Sequence, residues 1–276
     1  MNNINYLNIG CGDRFHNDWI NIDVFPLNPE VIHCDIMKGL PYEDNTFDAV
    51  YHSHVLEHLP KDKAIDFIKE CYRVLKKSGV IRVVVPDLQK IAENYLKNLN
   101  DNLNNPDEIS DMEYDWTMLE FYDQTVRNKS GGEMVEFIQK SGRKNKDFLM
   151  DRIGDTAIKI LNENNDSLSL KNKLKKFLKL KFKLKINIIF DIIFSKVLFG
   201  RYREIYKIGS FRISGEVHQW MYDEYSLTRL LKETGFRNVK ICSAFDSDIE
   251  NWNDYALDSK DGFVYKPNSI FIEALK

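Results

Sequence analysis

Leu7-Asn8-Ile9-Gly10-Cys11-Gly12, then Trp19-Ile20-Asn21-Ile22-Asp23, then Val31-Ile32-His33-Cys34-Asp35 is the stretch whose reading decides the fold. The first run is short and apolar and stops at a Gly-x-Gly turn, the pattern of a strand that ends in a tight loop. The second and third runs each close on an aspartate. Two further runs of the same kind follow, Phe47-Asp48-Ala49-Val50-Tyr51-His52 and Gly79-Val80-Ile81-Arg82-Val83-Val84-Val85-Pro86. Nearly continuous apolar strands point to a parallel sheet buried on both faces.

Between the last two runs, Ala64, Ile65, Ile68, Cys71, Tyr72 and Leu75 recur at helical spacing, which predicts a helix over 61–77 stopped by Gly79. The middle of the chain changes character. It is helical in pattern and rich in Asn and Lys, as expected of an insertion or cap over 98–215. A helix over 223–233 closed by Gly235 and two late strands, 236–245 and 269–275, bring the chain back to the sheet. The expected fold is α/β: a Rossmann-like, seven-stranded mixed sheet with helices on both faces and a helical cap. Residues 1–97 form its cofactor-binding core and 216–276 complete it.

The chain has 276 residues, 43% of them hydrophobic and 12% aromatic, enough to bury a core and incompatible with wholesale disorder. A formal net charge of −3 argues against a general nucleic-acid binder. The four cysteines, Cys11, Cys34, Cys71 and Cys242, form no C-x-x-C pair, and the opening residues lack a basic region followed by an apolar run. A reducing cytoplasm is therefore the expected location. The charge is uneven. Residues 171–185 carry eight lysines and no acid, and 186–199 are almost wholly apolar, too short and too interrupted for a membrane span. A basic stretch beside an apolar one suits an interfacial helix on anionic lipid, at the inner face of the membrane. The plainer reading is a solvated lysine face followed by a buried helix.

In an open parallel sheet the ligand lies beyond the carboxyl ends of the strands, at the switch point. Gly10 and Gly12 let a ligand approach the backbone. A carboxylate at Asp23 accepts hydrogen bonds from both hydroxyls of a ribose, and one at Asp35 accepts from an adenine amino group. This outlines an adenosine site. It is not a dinucleotide site. A third glycine is missing, Asp23 comes too soon, and no helix N-terminus is placed for a pyrophosphate.

These runs, with Leu40-Pro41-Tyr42-Glu43-Asp44-Asn45-Thr46-Phe47-Asp48, His54-Val55-Leu56-Glu57-His58-Leu59 and Tyr72-Arg73-Val74-Leu75-Lys76-Lys77-Ser78-Gly79, resemble the successive motifs of class I S-adenosylmethionine-dependent methyltransferases. They cover about a third of the chain. The nearest likeness is to bacterial methyltransferases of surface-polysaccharide biosynthesis, which Gly215-Glu216-Val217-His218-Gln219-Trp220-Met221-Tyr222 also resembles. The resemblance implies S-adenosylmethionine as cofactor. Gly10, Cys11 and Gly12 would pass beneath its methionine and ribose, Asp23 would hold the ribose, and Asp35 and Ile36 the adenine. Ser53 and His54 would line the methyl-transfer site. One departure stands out. The helix that relatives carry between the first two strands is short or missing here, which leaves Asp13, Arg14 and His16 on a loop over the cofactor.

Of six histidines, His52, His54 and His58 crowd together. The run is one residue longer than the H-x-H-x-D-H pattern of binuclear metal hydrolases. Only His218 remains downstream as a further ligand, so no metal site is expected. A hydroxyl acceptor loses a proton on methylation, and a neutral histidine is the usual helper. His54 and His218 are the catalytic candidates, with His58 assigned a structural place. Arg14 and His16 on the loop, and Trp220 as a surface for stacking on sugars, are candidate acceptor contacts. Glu120, Asp123, Gln124 and Arg127 share one helix face, with Leu119, Tyr122 and Val126 on another. The polar face either binds acceptor hydroxyls through Glu120, Gln124 and Arg127 or is simply wet.

The function expected is O-methylation of a sugar, sugar nucleotide or lipid-linked glycan. The alternatives are a non-catalytic adenosyl-ligand-binding partner in a biosynthetic complex and, more remotely, a metal-dependent hydrolase. If the basic and apolar segments dock on lipid, the intact chain co-floats with anionic vesicles and a chain lacking 171–199 does not. Equal flotation of the two, or none by either, removes the membrane reading.

Overall fold

The computed structural model describes residues 5–26, 28–162 and 200–276, together with residues 189, 193, 196 and 197. The lysine-rich stretch 171–185, and with it the membrane-contact expectation, lies outside the described residues. Among the described residues no helix is long and apolar enough to cross a membrane.

Five strands, β1 (Tyr6–Ile9), β2 (Ile20–Asp23), β3 (Ile32–His33), β4 (Phe47–Ser53) and β5 (Leu75–Pro86), lie where the apolar runs predict them. The late strands are β6 (Arg237–Cys242) and β9 (Ser269–Leu275). A short hairpin, β7 (Ser259–Lys260) and β8 (Phe263–Val264), stands between them and was not legible in the sequence. The seven-stranded sheet has the order β3-β2-β1-β4-β5-β9-β6. Its first five strands are parallel, and β9 runs antiparallel to both β5 and β6. The strand order reverses between β1 and β4. Ile9 there pairs with His52, so the loops that leave the two strands emerge side by side.

Alternation along the strands divides the core. Leu7, Ile9, Val50, Ile81 and Val83 pack with Phe67, Ile68 and Cys71 of α1 (Lys61–Val74) and Leu227 and Leu231 of α8 (Glu224–Glu233). Asp223 caps α8 in a capping box with Ser226. On the other face Tyr6, Trp19, Tyr51 and Val84 pack under Ile249, Trp252 and Leu257. The expected end of α1 is corrected. The helix stops at Val74, because fully buried Leu75 turns in to pair with Phe47. Gly79 lies instead in the bulge that follows, where a Cβ would sit 2.9 Å from the Lys76 carbonyl oxygen.

Residues between Gly12 and Trp19 form no helix, as their small number implies. Two buried strand asparagines fasten the loop instead. Asn8 Nδ2 donates to the Arg14 carbonyl and to Asn21 Oδ1, and Asn21 Nδ2 donates to the carbonyls of His16 and Trp19. After β5 a run of helices begins at Leu88: α2 (Leu88–Asn104), α3 (Glu108–Val126), α4 (Gly132–Ser141), α5 (Lys146–Ile153) and α6 (Asp155–Asn162). They have a small core of their own, made by Trp116, Met134, Ile138, Leu149 and Ala157. Helix α7 (Gly200–Arg212) leads back to the segment 216–222. That segment is stitched to α3, to the turn after β4 and to α2 by backbone bonds: His218 N to the Gln124 carbonyl, Gln219 N to the Glu57 carbonyl, and Leu88 N to the Tyr222 carbonyl.

The antiparallel strand is locked by charge. Arg82, wholly buried on β5, donates to Asp258 Oδ2 at 2.8 Å and to Glu273 Oε1 at 2.7 Å, and also to the carbonyls of Ser243 and Asp246. Its guanidinium lies over the Trp252 ring, 4.5 Å from the centroid. The Tyr51 hydroxyl donates to the other oxygen of Asp258 at 2.6 Å. Removing the cation leaves the buried carboxylate of Asp258 without an ion pair among the described residues and that of Glu273 with Lys240 alone, 3.7 Å away. Arg82→Met is therefore expected to cost about 3–5 kcal/mol, read as a lower urea midpoint at unchanged m-value.

Candidate active site

The loop after β1 and the turn after β4 meet at the switch point. Gly10 has φ +64°, and a Cβ there would fall 2.4 Å from Val55 Cγ2, so only glycine lets the two segments touch. Gly12 is also left-handed (φ +55°), but a Cβ there would meet nothing within 4 Å. The backbone is bare on that side. Asp23 closes the loop, accepting from Gly12 N at 2.9 Å with one oxygen and from Phe25 N at 2.7 Å with the other. Each carboxylate oxygen keeps a lone pair for a further donor.

Asp23, Asp35, Ile36 and Met37 line a cavity of about 850 Å³ with Gly10, His54, Val55 and His58. Asp35 caps the short turn Ile36–Lys38, and Lys38 Nζ stands 2.9 Å from its Oδ2. That side-chain contact holds the Asp35 carboxyl below its ordinary pKa, so it stays an acceptor. Arg212, Ile213, Ser214, Gly215 and Gln219 complete its wall. A second, smaller space of about 140 Å³ continues past Gly10 and Cys11 to Arg14, Ser53, His54 and Lys266. Cys11 is buried there. Loss of solvent pushes its thiol up to about 12, which leaves it an inert wall.

A third cavity, of about 190 Å³, lies between sheet and cap. Its wall includes His54, Glu120, Gln124, Arg127, Arg152, Lys266 and Ser269. The polar face of α3 is thus not wet. Glu120 and Asp123 are buried, while Tyr122 and Val126 of the apolar face are exposed. Glu120 holds Arg152 through both carboxylate oxygens, the closest contact 2.5 Å. Arg127 binds Asp123 and reaches Glu216 at 3.3 Å.

His54 lines all three cavities. It sits at φ +54°, held by its N–H on the Val84 carbonyl. Its Nδ1 is 3.1 Å from Glu57 Oε1 and its Nε2 is 3.0 Å from Ser269 Oγ. Burial draws the imidazole below its ordinary 6.5 against the pull of Glu57, which leaves it neutral near pH 7. His218 reaches none of these cavities. Its ring stands edge-on to His58 at 4.7 Å, its Nε2 is 3.2 Å from Gln124 Nε2, and burial lowers it to about 3. A catalytic place at the acceptor therefore does not follow from its geometry. Arg14 reaches the small cavity while pairing with Asp155 at 2.6 Å and covering Tyr265.

His16 and Trp220 are not brought to these cavities. The His16 ring packs against Tyr255, and Trp220 lies under Lys61 Nζ at 4.0 Å. Glu57, Lys266 and Ser269 are the residues that sequence reasoning missed. Only Glu57 had a signal, its place between His54 and His58.

The strand order, with an antiparallel strand inserted next to the last, is that of the class I Rossmann-like methyltransferases. Residues 11–83 match the family model of a methyltransferase domain. An uncharacterised protein of Methanocaldococcus jannaschii is 33% identical over 122 residues, which cover 40% of this chain and 52% of that protein. The chain thus spans about half the length of the curated relative it matches. Among solved structures, it is similar to a SAM-dependent methyltransferase from Archaeoglobus fulgidus (14% identity, 99% of this chain and 86% of that one, TM-score 0.37). It is also similar to a SAM-dependent methyltransferase, possible histamine N-methyltransferase, from Thermotoga maritima (14% identity, 99% and 82%, TM-score 0.38). At these TM-scores the likenesses add nothing to the strand order.

S-adenosylmethionine is the cofactor that this domain and fold imply, and the residues present fit it. The bare backbone at Gly12 and the free lone pairs of Asp23 suit a ribose, and Asp35 and Ile36 wall the same cavity further on. Loss of a hydrogen bond to a charged group costs about 1.5–3 kcal/mol. Asp23→Asn is therefore expected to raise the Kd for S-adenosylhomocysteine at least about tenfold in calorimetry, and an unchanged Kd would refute the assignment.

Proposed function

We propose that this protein transfers a methyl group from S-adenosylmethionine to a hydroxyl of a sugar, sugar nucleotide or lipid-linked glycan. The observation that carries the reading is His54, one neutral imidazole on the shared wall of the cofactor cavity and the cap cavity. The polar wall of the cap cavity supports a hydroxyl-rich acceptor: Glu120, Gln124, Arg127 and Arg152 offer both donors and acceptors. Lys266 on the same wall favours an acceptor with a negative charge, which the phosphates of sugar nucleotides and lipid-linked glycans carry. The resemblance of 215–222 to polysaccharide methyltransferases supports the same class.

Bound S-adenosylmethionine supplies a methyl group already activated on a sulfonium. The chain must then align the acceptor, exclude water and take up one proton. The charge of Glu57 beside Nδ1 favours the tautomer protonated there, which leaves the Nε2 lone pair free for the acceptor hydroxyl. Ser269 Oγ holds that lone pair now, and an acceptor oxygen takes its place in the reaction.

The test is isotope-labelled donor offered to free sugars, sugar nucleotides and polyprenyl-linked glycans. Label is expected in the acceptor, and His54→Ala is expected to lower kcat roughly a hundredfold or more at unchanged affinity for S-adenosylhomocysteine. Full turnover by that variant overturns the role of His54. Cofactor binding without turnover on any acceptor favours the non-catalytic binding partner.

A further inference from the structure

A carboxylate removed from water must be met by hydrogen-bond donors, a proton or a cation. Glu57 is 1% exposed. Among the described residues neither of its oxygens has a hydrogen-bond partner, although His54 Nδ1 stands 3.1 Å from Oε1. No lysine or arginine forms an ion pair with it among the described residues; its charged-pair neighbours are histidines. His58 Nδ1 is likewise buried without a partner.

These groups converge. One ligand atom each from Glu57, His58 and His218 lies within 4.8 Å of the others. A metal ion binds imidazole nitrogen and carboxylate oxygen at about 2.0–2.2 Å, so its ligands stand up to roughly 4 Å apart, and small inward rotations close the site. Segment 216–222 brings His218 there, pinned by its N–H on Gln124 and by Gln219 N on the Glu57 carbonyl. The turn Leu56–His58 brings the other two.

We propose that Glu57, His58 and His218 bind one divalent transition-metal cation beside the cofactor cavity, with His54 at its edge. Two nitrogens and one carboxylate oxygen form a donor set of intermediate softness, suited to Zn²⁺, Mn²⁺ or Co²⁺ rather than Ca²⁺. The cation neutralises the buried carboxylate and ties 216–222 to the core. His58 opens the site to the cofactor cavity. The site departs from the sequence expectation of no metal because the fold, not the spacing, supplies the third ligand. It does not rest on the methyl-transfer reading.

The full-length chain, stripped with chelator, is titrated separately with Zn²⁺, Mn²⁺ and Co²⁺, and binding of S-adenosylhomocysteine is measured on the same samples. One equivalent of metal per chain is expected. Glu57→Gln and His218→Ala should weaken it by more than the roughly 10–100-fold that loss of an outer-shell partner costs. The Co²⁺ form should show visible ligand-field bands without an intense sulfur-to-metal band. No saturable binding overturns the proposal, as does unchanged affinity in both variants or a thiolate band. Should a variant fail to fold, the wild-type cobalt spectrum decides. Metal binding without cofactor binding leaves the site standing and removes the methyltransferase reading; cofactor binding without metal does the reverse.

Discussion

The buried charge of Glu57 is the constraint around which the rest is arranged. A carboxylate in a dry interior is costly unless its surroundings answer it, and here three imidazoles from two distant parts of the sequence gather around it. Its backbone carbonyl also accepts from Gln219 at 2.7 Å and from Trp220 at 3.3 Å. One residue therefore orients His54, gathers His58 and His218, and anchors the segment through which the cap rejoins the sheet.

A similar economy operates on the other side of the sheet. Arg82 is the cation buried against both Asp258 and Glu273, with Lys240 also 3.7 Å from Glu273 Oε2, and it joins β5, β9 and the loop over Trp252 in one unit. The two buried charge clusters stand on strands that are neighbours, β4 leading to His54 and β5 carrying Arg82. Polar groups thus tie the strands together around His54 and Arg82. The apolar layers supply bulk stability.

The likeness to class I methyltransferases was carried by motifs whose spacing is local. Strand, Gly-x-Gly turn and strand-end aspartate fall within the first 35 residues, and each obeys a backbone rule that a sequence displays: apolar runs for buried strands, glycine where φ must be positive, a carboxylate where the strand stops. The missing helix after β1 was visible as a short interval. What replaces it, the Asn8–Asn21 pair, reads in sequence only as two polar residues in strands. The sequence leaves the buried face of α3 open for a related reason. Periodicity reveals two faces but not which one is buried, and in this cap the charged face turns inward to Arg152 and to the cavity.

By itself the sequence determined the sheet, its switch point and the glycine turn and strand-end aspartates that meet there, because these depend on contacts close along the chain and on conformations that few residue types tolerate. Tertiary structure alone decided that His218 comes to Glu57 and not to the cavity walls, that Trp220 and His16 stay away from them, and that Lys266 and Ser269 join His54. Those meetings span tens to hundreds of residues. They are set by where the late strand β9 enters the sheet and where segment 216–222 docks, and neither placement leaves a trace in local spacing.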